Sequence, residues 1–169
     1  NLKVSGKINT YDFTFMRDSM EILQAINLKE SEIVGVWYYH VNLNDGSGWY
    51  DEYFVGDMPQ SGEERMQAVR DRYPNADISF SYANKIGMAH EIPNSAFVKK
   101  SSLIHFVFPE KVTKIGGSAF SNTLLSGALI IPDDVEEIGD AAFEYTNISS
   151  LQLPHNLKTL GANVFFYCS

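Results

Sequence analysis

The feature that most restricts the fold is a segment that occurs three times in the second half of the chain. The stretches FVFPEKVTKIGGSAFSNT, LIIPDDVEEIGDAAFEYT and LQLPHNLKTLGANVFFYC start at residues 106, 129 and 151 and align without gaps. Pro109, Pro132 and Pro154 coincide in this alignment, at intervals of 23 and 22 residues, and a partial fourth copy ends at Phe97. A single short repeat cannot bury its own apolar face, so this periodicity predicts that the copies stack into a solenoid.

Each repeat carries the same order of structural signals. Apolar residues alternate just before the proline, which indicates a short strand that ends there because proline has no N–H to donate. A glycine follows, and we expect it to adopt a backbone conformation that other residues resist, so that the chain turns into a brief helical segment. Small and aromatic side chains then face inward. The phenylalanines of the four copies should stack as a column: Phe97, Phe120, Phe143 and Phe165.

The pattern apolar-x-x-apolar-x-apolar-Pro-x-x-Val-x-x-Ile-Gly-x-x-Ala-Phe resembles the BspA-like subclass of leucine-rich repeats, which is found largely in bacterial surface proteins. The resemblance covers residues 92–169, and LQAINLKESEI (23–33) fits the general leucine-rich spacing with Ser31 where asparagine is usual. It implies an α/β fold, a leucine-rich repeat solenoid of 22–23-residue repeats with short parallel strands and short helical segments. We expect amino-terminal repeats over 1–33, an insertion over 34–90 and BspA-like repeats over 91–169, all in one solenoid domain.

The predicted insertion has a different pattern. VWYYHVNLNDGSGWYDEYF (36–54) contains two alternating aromatic-rich runs joined by Asn44–Gly48, which predicts a β-hairpin. Ser61 and Glu64 then form a capping-box pattern at the start of a helix that ends before Pro74, and residues 78–82 alternate as a further strand. A small independent ββαβ unit is the alternative to an insertion within the solenoid.

The composition restricts the class of partner. The net charge is −8 and no dense group of Lys and Arg occurs, so nucleic acid is not an expected partner because phosphate binding needs a concentrated basic surface. No apolar run approaches the roughly 20 residues that span a bilayer. The resemblance implies an extracellular or bacterial cell-surface location. The chain starts at Asn1, and we expect any signal peptide to have been removed already.

No convergent catalytic set is recognisable. Four histidines are scattered without the spacing of metal ligands: His40, His90, His105 and His155. Cys168 is a conceivable nucleophile, but it occupies a repeat position that holds small residues in the other copies, which favours a structural role. The Asn44–Gly48 turn lacks the ligand spacing of a calcium loop. We therefore expect no enzyme activity, no cofactor and no metal.

The strands of leucine-rich repeats line a concave surface, and their outward side chains form an extended platform. Six residues that flank predicted core positions should occupy this platform: Asn27, His105, Val107, Ile130, Ser150 and Gln152. Val107 and Ile130 would be neighbouring exposed apolar residues, which marks a candidate contact site. Two other interpretations stay open, because β-branched residues favour strands in any case and the insertion could fold over them.

The aromatic hairpin is a second candidate surface, formed by Trp37, Tyr38, Trp49 and Tyr50. Exposed aromatic side chains often serve protein or sugar recognition. One face of a hairpin must pack on something, however, so a core role for these rings is the alternative.

Two functional classes remain. The resemblance implies a secreted or cell-surface recognition and adhesion module that binds a protein or glycan partner through the concave sheet. The alternative is a structural spacer or a self-assembling segment of a longer surface protein. The last repeat stops just after its phenylalanine, so end-to-end stacking on another copy is conceivable.

Overall fold

The computed structural model describes residues 1–168, without the side chains of seven residues: Tyr50, Phe80, Ser81, Tyr82, Asn84, Lys85 and Ile86. The predicted aromatic surface at Tyr50 and the alternation at Phe80 and Tyr82 therefore lie outside the described side chains. The chain divides into two compact units, here called the repeat unit (Asn1–Ile33 with His90–Ser169) and the hairpin unit (Val34–Ala89). Each unit has its own hydrophobic core.

Short strands and two helices make up the regular structure of the described residues. In chain order the elements are β1 (Leu2–Ile8), α1 (Thr10–Asp18), β2 (Ala25–Ile33), β3 (Val36–Asn42), β4 (Trp49–Val55), α2 (Gly62–Arg72), β5 (Ser79–Gly87), β6 (Glu91–Ile92), β7 (His105–Val107), β8 (Lys114–Ile115), β9 (Ser126–Ile130), β10 (Glu137–Ile138), β11 (Asn147–Gln152) and β12 (Thr159–Leu160).

The strands of the repeat unit pair in parallel, as the repeats predict. On one side, here called the short-strand side, β6, β8, β10 and β12 form a four-stranded sheet. The second residue of each two-residue strand comes from the same position of successive repeats: Ile92, Ile115, Ile138 and Leu160. On the other side, here called the long-strand side, β1, β2 and β7 form one parallel sheet and β9 and β11 form a second.

The column of phenylalanines is confirmed. Phe97 stacks on Phe120 with ring centroids 5.5 Å apart, Phe120 on Phe143 at 5.2 Å, and Phe143 on Phe165 at 5.5 Å. The first three rings are fully buried. Burying an aromatic ring removes a large apolar area from water, so this column forms the centre of the repeat-unit core.

The repeat glycines have a different role from the expected one. Gly116, Gly139 and Gly161 are absent from the residues with positive φ, so no special conformation requires glycine there. The requirement is space, because a Cβ at Gly139 would lie 2.5 Å from the backbone N of Gly117 in the preceding repeat. A Cβ at Gly116 or at Gly161 would likewise lie 2.5 Å from a backbone N of the preceding repeat.

The expected short helical segments are turns. Residues 94–99, 117–122, 140–145 and 162–167 form turns in which non-glycine residues such as Ser118 adopt positive φ. This conformation directs alternate N–H groups toward the next repeat, so that the Phe120 N–H donates to the Ala142 carbonyl at 2.8 Å and the Phe143 N–H to the Val164 carbonyl at 2.9 Å. A helix would use those donors internally, so these bonds between repeats replace helical ones.

Helix α1 is tied to the first repeat turn. Phe13 is buried and meets Phe97 edge to face, with centroids 5.8 Å apart. Lys100 is buried, and its Nζ donates to the Arg17 carbonyl at 2.9 Å and to the Met20 carbonyl. An ammonium group at a helix C-terminus satisfies carbonyls that have no partner in the helix and complements the helix dipole.

The hairpin unit is an antiparallel sheet with strand order β4-β3-β5, and α2 packs on one face. Ser61 is the N-cap of α2, since the Glu64 N–H donates to Ser61 Oγ at 3.1 Å, which is one of the two bonds of the expected capping box. Trp37 is 3% exposed and stacks on Phe54 with centroids 4.4 Å apart, in a core that includes Val69. Trp37 therefore does not belong to an exposed aromatic surface, because the period-two alternation of β3 points it toward α2.

Candidate functional site

Four of the six predicted platform residues lie in two directly paired sets on the long-strand side. Asn27 on β2 pairs with Val107 on β7, and Ile130 on β9 pairs with Gln152 on β11. Val107 is 43% exposed and Ile130 62% exposed, so both apolar side chains face solvent. The two remaining residues, His105 and Ser150, are also exposed and pair with Ala25 and Ala128.

A groove divides the long-strand side between Val107 and Ile130. Strands β7 and β9 belong to different sheets, and the Ser126 N–H donates to the Ile104 carbonyl at 3.2 Å where they begin. Beyond this bond lies a groove of about 480 Å³. Val107 and Ile130 line its sides, and the core residues Phe106, Phe108 and Leu129 also reach its surface.

Two phenylalanines distinguish the repeat beside this groove. Phe106 and Phe108 stand where the following repeats have leucine or isoleucine. Their rings lie 4.9 Å apart, and Phe106 also meets Phe120 at 4.7 Å. Because these rings are bulkier than aliphatic side chains, we infer that they hold β7 away from β9. The sequence carried this signal in the two aromatic substitutions, although the repeat alignment alone predicts a continuous sheet.

A second, charged cleft shares Lys29, Pro109 and Glu110 with the lining of the groove. It measures about 490 Å³, and its basic lining residues are Lys7, Lys29 and Lys111. Among its acidic residues, Glu30 is paired with Lys3, with Nζ and Oε1 2.7 Å apart. The long-strand side thus offers an apolar groove and a polar cleft that have three lining residues in common.

The hairpin unit presents its own exposed face, on the side of the sheet opposite α2. Trp49 and Tyr53 are 48% and 46% exposed. The His40 ring stacks on Trp49 with centroids 5.3 Å apart, and His40 Nδ1 lies 2.8 Å from Asp51 Oδ1. Tyr38 is half-buried and lies 5.7 Å from Tyr53. Of the predicted aromatic surface, Tyr38 and Trp49 are on this face beside His40 and Tyr53, whereas Asp51 was not predicted as a site residue.

The family model described as "BspA type Leucine rich repeat region (6 copies)" matches residues 90–169. This part of the chain is a BspA-type leucine-rich repeat region. Repeats of this type are typical of cell-surface or extracellular proteins. No curated protein matches the chain.

The short-strand side of the BspA-type region carries charged residues at paired strand positions. Glu91, Lys114 and Glu137 occupy paired positions of β6, β8 and β10. Lys114 Nζ lies 2.9 Å from Glu137 Oε1, and this hydrogen bond, with the nearby charges, holds the pKa of Lys114 above its usual value. Lys158 and Glu136 form a further pair at 2.8 Å. The exposed apolar residues Val107 and Ile130, by contrast, lie on the long-strand side.

Groups able to carry chemistry are dispersed over the described residues. Within residues 1–168 no three His, Cys, Asp or Glu side chains lie close enough to hold a metal ion. His155 Nδ1 is 2.7 Å from Asp133 Oδ1 on the surface. Cys168 is half-buried, with Sγ 3.2 Å from Thr146 Oγ1 and 3.3 Å from the Phe143 carbonyl.

Neither helix of the described residues is long and apolar enough to cross a bilayer.

The outermost described turn of the BspA-type region exposes positions that are buried in earlier turns. Leu153 is 41% exposed, whereas its equivalent Ile131 is 1% exposed. Leu160 is 49% exposed, whereas its equivalent Ile138 is fully buried. In the earlier turns these positions are covered by the following repeat of the described chain.

Proposed function

We propose that the chain is a non-catalytic recognition module of a secreted or bacterial cell-surface protein, and that its repeats form a solenoid which binds a protein partner along the concave, long-strand side. The observation that carries this proposal is the groove between β7 and β9, with the exposed side chains of Val107 and Ile130 on its two sides. Grouped exposed apolar residues are typical of contact sites rather than of free surface.

The chemistry of the groove favours a protein segment over a sugar. Phe106, Phe108 and Leu129 offer an apolar surface, and aliphatic or aromatic side chains of a partner would bury area against them. The strands that flank the groove belong to different sheets, so an extended segment could also pair with backbone groups there. The charged cleft beside Lys29 would supply polar contacts at the rim, as interfaces usually have.

The test is surface binding of the purified chain to a panel of extracellular-matrix proteins and glycans. The variant Val107→Glu/Ile130→Glu places two charges in the groove and should lose binding while its circular dichroism and melting temperature stay like those of the parent. Ile22→Glu is the matched control, because Ile22 is 85% exposed and does not line the groove. Equal binding by the double variant and the control contradicts the proposal.

Self-assembly through the last described turn is the second candidate, because Leu153 and Leu160 are exposed there. A second copy that stacked there would cover these residues in the way that a following repeat covers Ile131 and Ile138. Sedimentation velocity over a wide concentration range should then show a dimer that Leu153→Glu/Leu160→Glu abolishes. A chain that stays monomeric at high concentration rules this candidate out.

A further inference from the structure

The face of the hairpin unit opposite α2 carries large exposed side chains that its core does not use. Trp49, Asp51 and Tyr53 lie along β4 on this face, since alternate residues of a strand point to the same side. Their cross-strand partners on β3 are Asn42, His40 and Tyr38. These six residues are called the aromatic face below. The core of the unit lies on the other side of the sheet, around Trp37 and Val69.

The aromatic face has two exposed rings with a polar pair between them. Tyr53 is four positions after Trp49 on the same strand, which places their Cα atoms about 13 Å apart. Between these rings lies the pair of His40 and Asp51, with Nδ1 and Oδ1 2.8 Å apart. Exposed aromatic rings that hold no part of a core, set beside hydrogen-bonding groups, are the side chains that recognition surfaces favour.

The negative charge of the hairpin unit restricts the class of ligand that the aromatic face can bind. Val34–Ala89 contains eight Asp and Glu residues and four Lys and Arg residues, a net charge of −4. Asp51 adds a carboxylate within the face itself, so an anionic ligand would be repelled. A neutral sugar is complementary, because its C–H groups carry partial positive charge toward the negative face of an aromatic ring and its hydroxyls can donate to a carboxylate.

We propose that the aromatic face binds a neutral, linear oligosaccharide. One sugar ring lies on Trp49, another lies beside Tyr53, and hydroxyls between them hydrogen-bond to Asp51 and His40. The spacing of the two rings suits a chain of several sugar units rather than a single one. This site belongs to the hairpin unit and is separate from the groove between β7 and β9, so the two can be tested apart.

The test uses the full chain and isothermal titration with cellohexaose, xylohexaose, mannohexaose and chitohexaose, each up to about 10 mM, a range that detects millimolar dissociation constants. Hexagalacturonate is the anionic comparison. Trp49→Ala and Tyr53→Ala each remove one exposed ring, and Trp49→Phe keeps a smaller aromatic surface. Phe15→Ala is the matched control, because Phe15 is an exposed ring on α1 in the other unit. Circular dichroism and melting temperature of each variant check that the fold is kept.

We expect at least one neutral hexasaccharide to bind and Trp49→Ala and Tyr53→Ala each to raise its dissociation constant by about tenfold or more, or roughly 1.4 kcal/mol. Trp49→Phe should bind with intermediate affinity, and Phe15→Ala should bind like the parent. Val107→Glu/Ile130→Glu should also bind like the parent, which separates this site from the proposed protein contact. Absence of binding to every neutral hexasaccharide overturns the proposal. Tighter binding to hexagalacturonate than to every neutral hexasaccharide also overturns it. Equal affinities of the parent and Trp49→Ala for the neutral hexasaccharide do so as well.

Discussion

Phe120 lies parallel to Phe143, with ring centroids 5.2 Å apart and ring planes 2° from parallel. This distance is close to the spacing of about 4.8 Å between neighbouring strands, so the column of rings keeps the same step as the parallel strands. Both rings are fully buried. The same side chain at the same repeat position therefore fills the same space in each layer, which explains why the sequence repeats it.

Replacing a ring of this column should be costly. Phe120→Ala and Phe143→Ala each leave a cavity that neighbouring layers cannot fill, and we expect the free energy of unfolding to fall by about 3–5 kcal/mol. Urea denaturation of the two variants measures this loss. Phe15→Ala, which removes an exposed ring on α1, should change stability by less than about 1 kcal/mol. Similar losses in all three variants would show that the column is not the centre of the core.

A methyl group at the repeat glycine should also destabilise the repeat unit. Gly139→Ala places a Cβ 2.5 Å from the backbone N of Gly117, so two layers must separate locally. We expect a loss of about 1–3 kcal/mol in the free energy of unfolding, as for other overpacked sites. Gly62→Ala is the control, because its Cβ would have its nearest neighbour at 3.8 Å and its φ is not positive. An unchanged stability of Gly139→Ala would contradict the close approach of the layers.

The sequence predicted the repeat, the parallel strands and the phenylalanine column because each depends on a residue type that recurs at a fixed interval. It did not predict why glycine recurs. Both a positive φ and a close backbone contact require glycine, and the structure distinguishes them, because φ at Gly139 is not positive and a Cβ there would lie 2.5 Å from the backbone N of Gly117. The turns were expected as helical segments because positive φ at residues such as Ser118 is uncommon outside glycine.

The contact between Lys100 and α1 gives a prediction about the first layer. Lys100→Met keeps the apolar stem but removes the Nζ donor to the Arg17 carbonyl, whereas the Met20 carbonyl keeps the Leu23 N–H as its donor. Unpaired buried polar groups cost about 1–3 kcal/mol each, so we expect stability to fall by about that amount. Hydrogen exchange should become faster in residues 10–20. Lys111→Met, at an exposed lysine, is the control, and equal behaviour of the two variants would contradict the role of Lys100.

The surface pair of Asp133 and His155 gives a prediction about pH. Hydrogen bonds from the His155 ring and backbone N–H hold the pKa of the Asp133 carboxyl below its ordinary value of 3.8. A lowered pKa in the folded state means that this interaction is present above 3.8 and is lost as the pH falls through the lowered pKa. Both side chains are exposed, so the effect on stability should be small.

Carbon NMR titration of the Asp133 carboxyl should therefore give a midpoint below 3.8 in the parent. His155→Ala should raise this midpoint part of the way back toward 3.8, because the backbone N–H of residue 155 can still donate to the Asp133 carboxylate. A midpoint that is the same in both proteins would show that the His155 ring does not stabilise the carboxylate.

The candidate sites could be located from the sequence only in part. The repeat alignment placed Val107 and Ile130 on an outward strand position, and the structure gives both as exposed. The alignment could not give the groove between them, because it predicts one continuous sheet, whereas β7 and β9 belong to different sheets. On the hairpin, alternation separated Trp37 from Tyr38 but could not tell which face α2 covers.

The central claim is that the protein binds its partner through the groove between β7 and β9, and a substitution that fills the groove tests it most directly. Ala128 is exposed and lines the groove, so Ala128→Phe fills it without adding charge. Ser5→Phe is the matched control, because Ser5 is an exposed small residue on β1 that does not line the groove. The measurement is the dissociation constant for the matrix protein that the parent binds most tightly. We expect Ala128→Phe to weaken binding by about tenfold or more, or roughly 1.4 kcal/mol, and Ser5→Phe to bind like the parent. Equal dissociation constants for the two variants would contradict recognition through the groove.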